Sequence, residues 1–220
     1  MEVSAVKVGL CGGENAGENG GTYYGSDWEI AEDLCGADNR AKSADVCQGR
    51  IGGCTGWLIS EDVFVQAGHC RKPGASTRIH FTFDASSAGT QDQYAVDLPT
   101  YRRRSGGIGG DWAVGRLLPN SSTLKRAGEA RGEACDAPGC GWYDIGTVPA
   151  SPGGNSIRVT GYGLAPDGRN QKTHMDALTL VQPTYLRYTV DTKVSIFVGV
   201  YPFLGGENAL LLFGIKSPLS

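Results

Sequence analysis

The sequence lacks any long apolar run and any sustained helical periodicity. No uncharged apolar stretch reaches the ~18 residues that a membrane-spanning helix needs. Apolar residues recur at helical spacing only over one short turn between Leu124 and Ala130, which excludes a helical bundle. Glycine, with 34 residues, and proline, with 10, are frequent instead. This composition favours short strands joined by many turns.

An excess of positive charge is also missing. The chain has 20 Lys and Arg against 23 Asp and Glu, a net charge of −3, so neither nucleic acid nor an anionic membrane is an expected partner. Residues 1–10 contain no basic region followed by an apolar core, and no signal peptide is recognised there. No Cys-x-x-Cys or His-x-x-x-His pair exists to build a zinc site, so neither a metal nor another cofactor is expected.

Short apolar segments separated by turn residues are present along most of the chain. They occupy residues 56–60, 63–65, 79–83, 111–114 with 117–118, 155–162 and 186–190. Strands of this length at regular spacing are typical of an all-β sandwich or barrel. Residues 1–32 are rich in Gly, Glu and Asn and are interpreted as a flexible leader. Residues 119–153, rich in Pro and Gly, form the natural bridge between two halves.

The seven cysteines are too many for an ordinary cytosolic domain, and they indicate an oxidising compartment. Their number is odd, which leaves a free thiol, an intermolecular bond or a missing partner as alternatives. Cys54 and Cys70 bracket the first two strands, so a hairpin could bring them to disulfide distance. The other predicted pairs are Cys135–Cys140, which have four residues between them, and Cys35–Cys47, with Cys11 left over.

His69 stands immediately before Cys70, and a lone histidine in that position is usually structural. Asp111, which opens a predicted buried strand, favours a second interpretation. A carboxylate at the start of a buried strand is unfavourable unless it accepts hydrogen bonds, and an imidazole N–H is a suitable donor. The two residues are therefore candidates for a His–Asp pair.

At these residues the chain resembles the trypsin-like serine peptidases with the chymotrypsin fold, in particular the branch that includes bacterial glutamyl endopeptidases. Ala67–Cys70 matches the family's His box and Gly110–Ala113 its Asp box, while Cys54–Ser60 stands where the family has a Cys-x-Gly-x-Leu-Ile strand. Further similar segments are Cys35–Arg40, Val159–Gly163, Asn170–His174 and Leu186–Thr192. The likeness covers residues 33–192.

The resemblance implies two antiparallel six-stranded β-barrels, the second of them incomplete. It divides the chain into a leader (1–32), a first barrel (33–122), a linker (123–153), a partial second barrel (154–192) and a tail outside the family pattern (193–220). It also implies that His69 is the general base, that Asp111 orients it, and that the Cys54–Cys70 bridge fixes the turn carrying His69. The expected partners are polypeptide substrates of a full-length enzyme.

The family's nucleophile motif, Gly-Gly-x-Ser-Gly-x-Pro, does not follow Thr192. Ser195 lacks flanking glycines, and Ser156, which precedes the Gly161-Tyr162-Gly163 turn, is interpreted as the first residue of a strand. Without the serine and its oxyanion hole, we expect this chain to be inactive. Lys193-Val194-Ser195 can be encoded by an intron donor consensus, so read-through of an unspliced intron is our hypothesis for the tail.

Three interpretations remain open: a secreted serine endopeptidase represented by a truncated chain, a non-enzymatic homologue acting as a binding or regulatory module, and a disulfide-rich structural protein that matches the family by chance. Secretion follows from the cysteines and the family likeness, whereas cleavage specificity, activation and oligomeric state are not specified by the sequence. Arg102-Arg103-Arg104 is interpreted as a solvated loop face rather than a processing site. Asn120-Ser121-Ser122 matches a glycosylation sequon, which matters only in a secreted chain.

Overall fold

Thirteen strands and one short helix form the part of the chain that the computed structural model describes. That part comprises residues 39–43, 47–51, 54–81, 92–105, 111–133, 141–145, 149–162, 171–181, 186–188, 199–204 and 207–212. The elements are β1 (Ala41–Lys42), β2 (Gln48–Ile51), β3 (Cys54–Leu58), β4 (Val63–Gln66), β5 (Arg78–His80), β6 (Gln93–Ser105), β7 (Asp111–Leu117), α1 (Ala127–Glu133), β8 (Asp144–Ile145), β9 (Ser156–Tyr162), β10 (Gln171–Val181), β11 (Leu186–Tyr188), β12 (Gly199–Leu204) and β13 (Glu207–Leu212).

Six antiparallel strands close into a barrel in the order β2-β3-β4-β7-β6-β5, and β5 pairs back onto β2. The predicted hairpin is confirmed as β3 and β4, with Trp57 opposite Val65. Ser60 stabilises its turn because its hydroxyl oxygen accepts a hydrogen bond from the Val63 amide at 3.1 Å. The barrel interior is a single apolar cluster: Ile51, Leu58, Phe64, Ile79, Phe81, Tyr94, Val96, Tyr101, Ala113, Leu117 and Ala127.

The helix α1 closes the end of the barrel at which the β3–β4 turn lies. Ala127, its first residue, is fully buried in the barrel core. The amide of Gly128 donates to the Glu61 carbonyl at 2.8 Å, and a Cβ at Gly128 would stand 2.5 Å from the Glu61 Cα. An ion pair between Arg126 and Glu61 adds a second link. Glycine at position 128 therefore allows the helix to pack directly on the turn.

The helix begins three residues later than the predicted turn at Leu124. Asn120 is the cause, because its side-chain oxygen accepts hydrogen bonds from the amides of Ser122 and Thr123 at 2.8 and 2.9 Å. This local turn competes with helix formation, and Leu124 follows in a left-handed conformation with φ of 60°. Asn120 is 1% exposed and its Nδ2 donates to the Gln93 carbonyl. The sequon asparagine is therefore inaccessible in the folded chain.

The second half forms an open sheet with strand order β1-β10-β9-β12-β13-β8, to which β11 adds by pairing with β10. Its strands are antiparallel except for β13, which lies parallel to β8. This sheet agrees with the expected incomplete second barrel. Within the segment 193–220, β12 pairs with β9 and β13 pairs with β12, so the tail contributes two strands to the sheet.

Candidate functional site

His69 lies in the turn that follows β4, next to a disulfide. Cys54 and Cys70 are bonded, with their Cα atoms 6.3 Å apart, which confirms the predicted pair. The Cys70 amide donates to the Ala67 carbonyl at 3.3 Å and closes the turn around His69. Both cysteines are buried, whereas His69 is half-buried. The bridge therefore attaches the turn carrying His69 to the first residue of β3.

Gly68 brings this turn into direct contact with the ends of β6 and β7. A Cβ at Gly68 would stand 1.7 Å from the Arg104 carbonyl oxygen and 2.7 Å from the Trp112 carbonyl oxygen. Both obstacles are backbone atoms in strands, so no side-chain movement can relieve the contact. Gly68, which precedes His69, thus packs against the backbone of Trp112, which follows Asp111. The sequence shows Gly68 within the His box, but the motif alone does not predict its contact with β6 and β7.

Asp111 is the first residue of β7, opposite Ser105 of β6. Strand β7 also pairs with β4, where Ala113 lies opposite Gln66. Gly68 follows β4 by two residues and contacts the backbone of Trp112, the neighbour of Asp111. The structure therefore brings the backbones at His69 and Asp111 to the same end of the barrel. The Asp111 carboxylate lies outside the described part of the structure, so its hydrogen bond to His69 stays a prediction.

The three consecutive arginines are not in a loop: they form the end of β6. Arg102 lies opposite Val114 and Arg103 opposite Ala113. The Arg103 guanidinium donates from Nη1 to the Cys70 carbonyl at 3.1 Å. A charged donor gives a stronger hydrogen bond than a neutral one. Arg103 therefore holds the turn next to His69, a contact that three arginines in sequence do not reveal by themselves.

A second apolar cluster supports the disulfide from outside the barrel interior. It consists of Cys47, Cys54, Trp57, Val65, Ala67, Cys70 and Tyr143. Tyr143 comes from the segment between the two halves, and its amide donates to the Leu58 carbonyl at 2.9 Å. Its hydroxyl accepts a hydrogen bond from Gln48 Nε2 at 3.1 Å. Tyr143 is thus packed against β2 and β3, in the cluster that contains the disulfide.

The two halves of the chain meet one residue from Cys54. The Tyr162 amide donates to the Thr55 hydroxyl oxygen at 2.9 Å, and both residues are at most 1% exposed. Tyr162 ends β9, which begins at Ser156 as expected for the first residue of a strand. Strand β9 therefore contacts the same strand that anchors the His69 turn.

Several predicted residues lie outside the described residues. These are Cys11, Cys35, Cys135, Cys140 and Ser195. Cys47 is buried in the cluster beneath the disulfide, and its pairing with Cys35 stays a prediction, as does the Cys135–Cys140 pair. Within the described ranges, no three His, Cys, Asp or Glu side chains are placed to hold a metal ion. None of the helical residues in those ranges form a span long and apolar enough to cross a bilayer.

Of the other two histidines, His80 lies in β5 opposite Arg50, and His174 lies in β10 opposite Val159. Burial, and then the positive charge of Arg50, lower the pKa of His80 below its ordinary value of 6.5. The unfolded chain therefore binds a proton at His80 at a higher pH than the folded chain does. The free energy of unfolding should fall as the pH drops through about 6.5 towards the lower folded-state pKa.

Replacing His80 by glutamine should remove this decrease in the free energy of unfolding at low pH. Chemical unfolding measured from about pH 7 to about pH 5 should give a shallower pH dependence for His80→Gln than for the wild-type chain. Equal slopes for His80→Gln and the wild-type chain would show that protonation of His80 does not oppose folding.

Comparison with known proteins gives matches among solved structures. No protein-family profile matches the chain, and neither does any curated protein sequence. Kallikrein-related peptidase 10 is 10% identical, with a TM-score of 0.51 over 77% of this chain and 81% of that chain. A thermostable serine protease, AL20, from an extremophilic microorganism is 14% identical, with a TM-score of 0.50 over 76% and 84%. The protease Anisep from Arthrobacter nicotinovorans is 17% identical over 77% and 90%, with a TM-score of 0.46.

Identities this low establish the fold alone. The closed barrel of six antiparallel strands, followed by a second sheet in contact with it, agrees with the structures of the peptidase and of the thermostable protease. The agreement extends over about three quarters of the chain, from both halves. The chain therefore has the chymotrypsin-type fold of the trypsin-like serine proteases.

Proposed function

We propose that this chain carries the His–Asp half of a serine endopeptidase site that acts on polypeptides. The observation that supports the proposal is the contact of Gly68 with the Arg104 and Trp112 backbones. That contact puts the His69 turn beside the start of β7, where Asp111 stands. A hydrogen bond from imidazole Nδ1–H to a carboxylate needs such proximity.

In this proposal each residue has a separate role. His69 takes the proton of an attacking serine hydroxyl through Nε2 and returns it to the leaving amine. Asp111 accepts the Nδ1–H hydrogen bond, which selects the correct tautomer and stabilises the imidazolium. The Cys54–Cys70 bond and the Arg103 contact hold the turn in place. A disulfide of this kind forms in an oxidising compartment, which supports an extracellular location.

The 220 residues contain no Gly-x-Ser-Gly sequence, so they supply neither the nucleophile nor its oxyanion hole. We therefore expect no peptide hydrolysis above background from this chain. Reading the gene beyond the codon for Lys193 tests the intron hypothesis, because an exon encoding Gly-x-Ser-Gly must follow if it is right. Its absence would leave the tail as part of the natural protein.

A specific observation favours the second candidate, a non-enzymatic homologue. Strands β12 and β13 come from the tail and pair with β9 and with each other. Fluorophosphonate labelling distinguishes the candidates. If the enzyme is correct, a product extended by the missing exon becomes labelled and His69→Gln abolishes the labelling. A soluble, monodisperse 220-residue protein, encoded by a gene that ends as given, supports the homologue.

The His–Asp pair can be tested without activity, since the chain has only three histidines. Imidazole ¹⁵N spectra, assigned with His69→Gln, report which nitrogen carries the proton of the neutral ring. We expect His69 to be protonated at Nδ1, and Asp111→Asn to change its tautomer ratio. Asp97→Asn, on the outer part of β6, is the control and should leave that ratio unchanged. An unchanged ratio in Asp111→Asn would exclude the proposed pair.

A further inference from the structure

Strand β6 contacts the His69 turn at both of its ends. At the exit of the turn, Arg103 donates from Nη1 to the Cys70 carbonyl at 3.1 Å. At its entry, Gln66 Nε2 donates to the Tyr101 hydroxyl oxygen at 2.8 Å. Tyr101 and Arg103 are alternate residues of β6, so they lie on the same face of that strand. We call these two hydrogen bonds the β6 clamp.

The pairing of the strands explains how the side chains of the clamp meet. Ala113 of β7 lies opposite Gln66 of β4 on one side and opposite Arg103 of β6 on the other. Residues directly opposite one another project from the same face of a sheet. Ala113 belongs to the barrel core and is 1% exposed, so this face is the one that lines the barrel interior. Its methyl group is the only side chain between the two longer ones in this row.

Tyr101 is the fixed part of the clamp. Its side chain is buried, and its ring stacks on that of Phe64, with the ring centroids 6.4 Å apart. A Cβ at Gly115 would stand 3.1 Å from both rings, so the packing around them is tight. Burial raises the pKa of the Tyr101 hydroxyl above its ordinary value of 10, although the Gln66 hydrogen bond and the positive charge of Arg103 act in the opposite direction. The phenol is therefore neutral at physiological pH and serves as a hydrogen-bonding group in the barrel.

The clamp and the disulfide hold the turn from opposite directions. In the barrel order, β3 neighbours β4 on one side, whereas β7 and then β6 follow on the other. The Cys54–Cys70 bond attaches the turn to β3, and the clamp attaches it to β6. Links on both sides of β4 restrain rotation of the turn more than either link alone.

We infer that Tyr101 and Arg103 are positioning residues for His69. Tyr101 acts through Gln66 on the point at which the chain leaves β4, and Arg103 acts on the carbonyl one residue after His69. A turn fixed at both ends keeps the imidazole beside the start of β7. The clamp itself does not depend on the chemistry of His69. Its effect on the orientation of the imidazole rests on the proposed function, in which Asp111 is the partner.

Hydrogen exchange of the Cys70 amide tests the clamp, because this amide donates to the Ala67 carbonyl and closes the turn. Tyr101→Phe removes only the hydroxyl group, and Arg103→Met keeps an aliphatic side chain without a donor. Each variant should increase the exchange rate of the Cys70 amide about tenfold, which corresponds to about 1.4 kcal/mol. Arg103→Lys retains a charged donor and should restore most of the protection.

Each test variant has a matched control. Arg102→Met changes the neighbouring arginine of β6, which donates back to the carbonyls of Pro99 and Tyr101. Tyr188→Phe removes a buried hydroxyl group from the second sheet. Both controls should keep the wild-type exchange rate at the Cys70 amide. Equal rates in either test variant and its control would overturn the two-ended clamp.

The tautomer ratio of His69, measured by imidazole ¹⁵N spectra, distinguishes positioning from stabilisation. A residue that only stabilises the barrel leaves this ratio unchanged in the folded chain. Tyr101→Phe and Arg103→Met should shift it about twofold in the direction given by Asp111→Asn. Arg103→Lys should remain closer to the wild-type ratio.

The same spectra separate failure of this inference from failure of the proposed function. If Asp111→Asn changes the His69 ratio and both clamp variants leave it unchanged, Tyr101 and Arg103 are not positioning residues and the proposed function stands. If Asp111→Asn also leaves the ratio unchanged, the His–Asp pair is wrong and the positioning of His69 fails with it. Exchange of the Cys70 amide then still decides whether the clamp holds the turn.

Discussion

Replacing Gly68 by alanine is expected to lower the free energy of unfolding by about 3 kcal/mol or more. The added Cβ would stand 1.7 Å from the Arg104 carbonyl oxygen and 2.7 Å from that of Trp112. Real Cβ atoms do not approach backbone oxygens this closely, so the turn after β4 must move away from the ends of β6 and β7. The His69 turn would then move away from Asp111. Denaturant unfolding measures the loss, and imidazole spectra of His69 report the displacement.

Gly74→Ala is a matched control for this experiment. Gly74 belongs to the same connection between β4 and β5, and a Cβ there would meet no atom within 4 Å. Its replacement should change stability by no more than about 0.5 kcal/mol. If Gly68→Ala unfolds at the same denaturant concentration as the wild-type chain, the close approach of the turn to β6 and β7 is wrong.

Replacing Cys54 and Cys70 together by alanine is expected to lower the free energy of unfolding by about 3 kcal/mol. The bond spans 16 residues of sequence and joins the start of β3 to the end of the His69 turn. Without it, the unfolded chain gains conformational freedom, and the turn loses its covalent link to β3. Hydrogen exchange at residues 67–72 should increase more than exchange in the β6–β7 pairing.

Chemical reduction supplies the control for the disulfide. A reductant should destabilise the wild-type chain by a similar amount and should leave the Cys54→Ala/Cys70→Ala variant unchanged at the residues of the first barrel. A reductant that leaves the wild-type barrel as stable as before would contradict a stabilising function for this bond. If the reductant also destabilises the Cys54→Ala/Cys70→Ala variant, other cysteines contribute to the stability of the barrel.

The strands of the first barrel were predictable from the sequence where apolar and polar residues alternate, or where a short apolar run stands between turn residues. The β3–β4 hairpin and β7 appear where the sequence places them, because their apolar residues fill the barrel interior. Strand β6 was not predicted, since Pro99 and three arginines make it resemble a loop. Its pairing with β7 shifts register between Asp97 and Arg102. In that interval the Thr100 hydroxyl accepts the hydrogen bond of the Arg116 amide and donates to the Asp97 carbonyl.

Only those residues of the candidate site that stand in short sequence motifs could be predicted. His69, Asp111 and the Cys54–Cys70 pair stand in short motifs, so the sequence indicates them directly. The contacts that bring the motifs together involve residues distant in the chain: Gly68 with the Arg104 backbone, and Thr55 with Tyr162. Such contacts depend on barrel closure, and a single sequence carries no local signal for them.

The two sheets differ in how their strands are distributed along the chain. All six strands of the closed barrel come from one continuous stretch, Gln48 to Leu117. The second sheet instead needs β1, at Ala41, to pair with Thr173 of β10. Once residues up to Leu117 have left the ribosome, every strand of the barrel has therefore been synthesised. The disulfide can then form before β10, the partner of β1, has been made. The His69 turn is accordingly expected to take its shape during synthesis, ahead of the half of the molecule that completes the fold.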